Sequence, residues 1–129
     1  DLRKAHPSPL AALRAYADCL SQLATSPEAL ARNLSYLQID LTDPDLRKNL
    51  VTQARASRLE LQAIIKAAMA AGELTRDVAP ARLARTVEAV ISGSMMSWAY
   101  HEEGTATEFM REDLDAVLKP YLAKKRKKK

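Results

Sequence analysis

Residues 80–103 read PARLARTVEAVISGSMMSWAYHEE, and the fold turns on how that stretch distributes its apolar side chains. At 100° per residue Leu83, Ala84, Val87, Ile91, Met95 and Trp98 fall on one wide face, the pattern of a helix packed on its own domain. Ala89, Gly93, Met96 and Tyr100 form a second apolar strip on nearly the opposite side. A helix of a small domain that is apolar on two sides has to bury both, and Ala89 with Gly93 leaves room for a close backbone approach. The chain's own core absorbs the first face. A second copy of the chain is the economical partner for the other.

Working outward, the boundaries of further helices are written in small polar residues and prolines. Ser8-Pro9, Ser26-Pro27 and Asp43-Pro44 each place a side-chain oxygen where it accepts from orphan amides and a proline where no N–H is needed. Asp77 is a possible cap ahead of Pro80, and Thr105 with Glu108 spells a capping box. Gly72 and Gly104 are placed to close helices in the left-handed conformation. These signals predict five helices over residues 9–25, 27–41, 44–71, 80–103 and 106–118.

Composition agrees. Ala (23) and Leu (18) dominate, while Val, Ile, Phe and Trp together number 11, too few strand formers for a substantial sheet. The 129 residues suffice for one domain, expected over residues 9–123 after a connector at 1–8. The formal charge of +4 is misleading, because six basic residues lie in the run 124–129 and residues 1–123 carry 14 basic against 16 acidic groups, a net of −2. That run reads as a solvated, disordered tail, with no interleaved aromatic to suggest a nucleic-acid surface. A lone Cys19 points to a reducing, cytoplasmic compartment, and no apolar run approaches a membrane span. The chain begins without Met, which suggests a fragment or a processed product separated from its natural N-terminal neighbour.

The helices differ in how much apolar face they offer. The first sets Leu13, Tyr16, Leu20, Leu23 and Ala24 against Arg14, Asp18, Ser21 and Thr25. The second has a narrow stripe of Leu30, Leu34, Leu37 and Leu41, with Asn33 beside it. The third carries Leu46, Leu50, Ala54, Leu61, Ile64, Ile65 and Ala68, with Gln53 and Ser57 inside the stripe and Arg58 at its edge. Polar groups there need partners or a cavity, since an unpaired buried one costs ~1–3 kcal/mol. The fifth adds Met110, Leu114, Val117 and Leu118, with Phe109 off that line, before Pro120 and Tyr121.

In order and length these elements resemble the C-terminal ligand-binding and dimerisation domain of TetR-family transcriptional regulators. The residues that carry the likeness are Leu37-Gln38-Ile39-Asp40-Leu41-Thr42-Asp43-Pro44, Ala71-Gly72-Glu73-Leu74, Leu83-Ala84 leading to Ser92-Gly93 and Trp98, and Val117-Leu118-Lys119-Pro120-Tyr121-Leu122. The resemblance implies a regulatory domain whose last two long helices form a four-helix interface in a homodimer, with the preceding helices enclosing a pocket for a small effector. It further implies that effector binding changes the separation of two DNA-binding heads. No stretch of this sequence reads as such a helix-turn-helix head, so contact with DNA is expected only through a missing N-terminal part.

The expected effector site comprises Tyr16, Cys19, Leu23, Asn33, Leu37, Gln53, Ser57, Arg58, Ile91, Met95 and Trp98, few polar groups among apolar walls, suited to a small and mostly apolar molecule. Arg58 would favour an acidic group on it if its side chain points inward. The competing reading has Ser57 bonded to its own helix, Gln53 and Arg58 in solvent and the rest in the core. The expected dimer face comprises Ala89, Gly93, Met96, Tyr100, Phe109, Val117 and Tyr121. No catalytic or metal site and no cofactor is expected: His101-Glu102-Glu103 lacks the second His of a zinc protease motif, and Cys19, with no base nearby in sequence, reads as a small buried hydrophobe. The alternative to a regulator is a helical protein-interaction or scaffold domain without a small-molecule pocket.

Overall fold

Each of three helix starts is capped by the side chain expected to do so. Ser8 accepts from the Ala11 N–H at 3.1 Å and Ser26 from the Ala29 N–H at 3.0 Å, while Asp43 takes the amides of Asp45 and Leu46 at 2.9 and 3.2 Å. Thr105 and Glu108 cap one another's amides reciprocally. The computed structural model describes residues 2–124, and in it these starts open four of the helices. They are α2 (Pro9–Ser21), α3 (Pro27–Thr42), α4 (Pro44–Ala70) and α6 (Ala106–Leu118), joined by a single turn α1 (Leu2–Ala5) and by α5 (Pro80–His101). The protein is all-α, the only β pairing among the described residues being one antiparallel bridge between Leu74 and Leu122. Residues 125–129 of the expected basic tail lie outside the described residues.

Two boundary signals resolve differently from expectation. Asp77 does not cap α5. The residue before Pro80 is pushed to extended backbone, so Ala79 occupies the cap position with no side-chain bond. At the other end α5 stops at His101, where Glu102 takes the left-handed conformation (φ 48°) before Gly104 (φ 72°) can. Gly104 instead shapes the loop to α6, and its carbonyl accepts the Trp98 indole N–H at 2.9 Å. Gly72 (φ 77°) closes α4 as expected.

Helices α5 and α6 form a hairpin over the short loop 102–105, tied by Ser94 to Asp113 at 2.6 Å. Helix α2 runs antiparallel to α6: Ser21 meets Thr107, Asp18 meets Arg111 and Arg14 meets Asp115, each step up one helix matched by a step down the other. Its polar side, Arg14, Asp18 and Ser21, thus faces α6, with Ser21 buried and Arg14 still exposed. The small residues Ala12 and Ala17 of α2, and Ala24 of the turn after it, are buried along with Leu13, which leaves the larger Tyr16, Leu20 and Leu23 for another task. The core joins these to Leu61, Ile64 and Ile65 of α4, Leu83, Val87 and Ile91 of α5, and Met110 and Leu114 of α6.

Burial along α4 begins only at Leu61. Its first half, which the sequence stripe assigns to the core through Leu46 and Ala54, is open, with Leu46 40 % exposed. Its companion α3 buries only Leu30. Together they leave Tyr36, Ile39, Leu41 and Leu46 exposed. No helix of the described residues is long and apolar enough to cross a membrane.

Candidate functional site

Where α2, α3 and α5 diverge, they leave a cavity of about 340 Å³. Helix α2 contributes Tyr16 and Leu20 and the turn after it Leu23; α3 contributes Leu30, Asn33, Leu34 and Leu37; α5 contributes Glu88, Ile91, Ser92, Met95 and Met96. The α5 wall is buried at Ile91 and Met95, whereas Leu23, Leu34 and Leu37 are partly open to solvent, so access is from the α3 side. The size and the apolar lining with a few polar groups suit a small organic ligand.

Six of the eleven residues expected at an effector site meet here: Tyr16, Leu23, Asn33, Leu37, Ile91 and Met95. The other five do not line it. Cys19 is exposed and free, not buried, because α2 turns Tyr16 and Leu20 to the cavity and Asp18 and Ser21 to α6, leaving position 19 with neither. Gln53 and Ser57 are exposed on the uncovered half of α4. Trp98 is 6 % exposed and spends its indole N–H on Gly104, making it part of the core. Arg58 is exposed and donates twice to the Glu88 carboxylate, both bonds 2.9 Å long, so its guanidinium is bound at the outer edge rather than free to receive an acidic group inside.

Sequence reasoning missed Leu20, Leu30 and Leu34 as lining, together with Glu88, Ser92 and Met96. The last three stand at i, i+4 and i+8 on α5, flanking the Ile91–Met95 stripe, and that spacing was the available signal. Met96, expected on the dimer face, lies in this wall.

The site's polar groups are few. Asn33 donates its amide to the Leu23 carbonyl at 3.0 Å, which fixes the amide and closes the turn after α2. The Tyr16 phenol is pushed above its ordinary pKa, first by burial and then by the Glu88 and Glu60 carboxylates, with a side-chain contact from Ser57 opposing. Among the described residues no three His, Cys, Asp or Glu side chains converge in the way a metal site requires.

On another side of the molecule α5 and α6 frame a shallow groove of about 370 Å³ lined by Val90, Gly93, Ser94, Asp113, Ala116 and Val117. Ala89 and Gly93 are exposed and Tyr100 is 73 % exposed, while Val117 is half-buried. Phe109 and Tyr121 are also half-buried, packed against the protomer's own core. A β-carbon added at Gly93 would meet nothing within 4 Å. The packing of a single chain therefore does not explain the glycine.

With an open helical cavity beside an exposed helical pair, the comparison with known families is decisive. The family model described as tetracyclin repressor-like, C-terminal domain, matches residues 9–114. The chain belongs to this family. No curated protein and no solved structure matches it. Membership assigns the helical body to the regulatory part of a TetR-like regulator, a class of domain that usually dimerises, takes effectors and performs no catalysis.

Proposed function

We propose that residues 9–123 are the effector-binding and dimerisation unit of a TetR-like transcriptional regulator, in which a small, mostly apolar molecule enters the α2–α3–α5 cavity. Two chains pair through α5 and α6, and the effector biases the separation of DNA-binding heads that precede these domains. The observation that carries the effector half is the cavity itself: ligand-sized, walled by three helices and lined mainly by Leu, Ile and Met. The dimer half is supported by the exposed strip Ala89, Gly93 and Tyr100, where a β-carbon on Gly93 would meet nothing in its own protomer.

A thermal-shift screen with small apolar compounds tests it, because a ligand at 100 times its Kd adds about 2.7 kcal/mol to stability. Hits are expected in the native chain and lost in Leu37→Trp, whose indole would occupy the cavity. A second reading, a helical protein-interaction domain, is favoured by the exposed Tyr36, Ile39 and Leu41 on α3. A broad library without hits, together with capture of a protein partner that Ile39→Asp abolishes, would favour that reading over ours.

A further inference from the structure

The placement of charge around the cavity identifies the chemistry of its occupant, an inference that rests on the effector-binding reading above. No Arg, Lys or His lines the cavity. Its one full charge is Glu88, and of its other polar side chains Asn33 has already spent an amide hydrogen on Leu23. Ser92 and Tyr16 bring hydroxyls that donate or accept. The lining therefore contains one anion and no cation.

The cations stand outside. Glu88 also borders a separate crevice of about 160 Å³ with Val51, Ala54, Arg55 and Arg58 of α4. Arg58 reaches it from there, and both partners of the pair are more than two-fifths exposed. An ion pair so open to water is readily exchanged for another cation. Glu60 adds a second negative field at Tyr16. An anion entering the apolar cavity would find no cation in its lining and would have to compete with Glu88 for Arg58, whereas a cation need only compete with Arg58 for the carboxylate at the wall.

We propose that the cavity selects a molecule with an apolar body and a cationic, hydrogen-bond-donating head, for which Glu88 is the counter-charge and from which Arg58 is displaced. The apolar body lies among Leu20, Leu37, Ile91 and Met95, and the head takes the carboxylate from the inside.

Three probes sharing one apolar body, phenylbutylamine, phenylbutanol and phenylbutyrate, test this on the full chain by calorimetry and by methyl shifts of Ile91 and Met95. The amine is expected to bind about tenfold tighter than the alcohol, the fold-change a charge-assisted hydrogen bond supplies. Glu88→Gln should remove that preference. Arg58→Ala, which frees the carboxylate of its competitor, should tighten the amine. Equal binding of amine and alcohol, tighter binding of the butyrate, or a preference that survives Glu88→Gln each overturns the proposal while leaving the cavity reading intact. If none of the three probes moves the Ile91 and Met95 methyls, the cavity reading itself fails and this inference with it.

Discussion

Ser94 on α5 donates a 2.6 Å hydrogen bond to the Asp113 carboxylate on α6, beneath the groove that Gly93 opens to solvent. The bond joins a serine that is 4 % exposed to a half-buried acid, and so holds the two helices of the proposed interface as one slab before any partner arrives. Hydrogen bonds to charged groups contribute ~1.5–3 kcal/mol, less where the acid keeps some water. Ser94→Ala should therefore lower unfolding free energy by about 1–2 kcal/mol. Urea denaturation at fixed protein concentration, followed by the fluorescence of Trp98, measures it. An unchanged midpoint would mean that the slab is held by packing alone.

Gly93 gives a prediction whose sign depends on the partner. Within one chain a methyl group there meets nothing, and replacing a mid-helix glycine by alanine stabilises by roughly 0.5–1 kcal/mol. Gly93→Ala should thus stabilise the protomer and yet weaken association, because in the proposed interface the partner's backbone approaches at this point. Gly93→Arg should abolish the dimer outright. Light scattering at tens of micromolar decides: a monomeric native chain, or a dimeric Gly93→Arg, removes the interface from α5.

The cavity predicts an effect on binding without one on the fold. Leu37 is 39 % exposed and lines the α3 wall, so Leu37→Trp should keep stability within about 1 kcal/mol of the native chain. Binding of phenylbutanol to this variant, read by calorimetry, should be lost. Ile91→Ala on the opposite, fully packed wall should cost ~2–5 kcal/mol, the range for large-to-small changes in a core. If Ile91→Ala is as mild as Leu37→Trp, the α5 wall is looser than its burial implies.

How far the sequence could be read follows from what each feature depends on. Caps were legible because Ser8, Ser26, Asp43 and Thr105 act on amides only a few residues away. Asp77 failed by the same local logic, since Pro80 moved the cap position to Ala79. Apolar cavity residues were legible as faces of helices; which face bounds a gap was not, because that is set by where α3 diverges from α5. The direction of Arg58 depends on Glu88, thirty positions later on another helix, and no periodicity encodes such a partner. The opening of α4 before Leu61 is likewise a property of what fails to cover it.

Tyr16 makes the cavity sensitive to alkali. Its phenol, raised above 10.0 chiefly by burial and next by the Glu88 and Glu60 carboxylates, holds its proton more tightly in the folded chain than in the unfolded one. Its contribution to stability is therefore complete below the unfolded value of about 10 and is lost as pH rises through the higher native value. Between pH 9 and 11 the native chain should lose more stability than Tyr16→Phe, which has no proton to lose at that position. Lysine and arginine titrations are common to both proteins and cancel in the comparison. Paired urea denaturations at the two pH values supply the four free energies. Equal losses in the two proteins would show that the phenol gains no protection from the fold, and that the field of the two carboxylates does not reach the cavity wall.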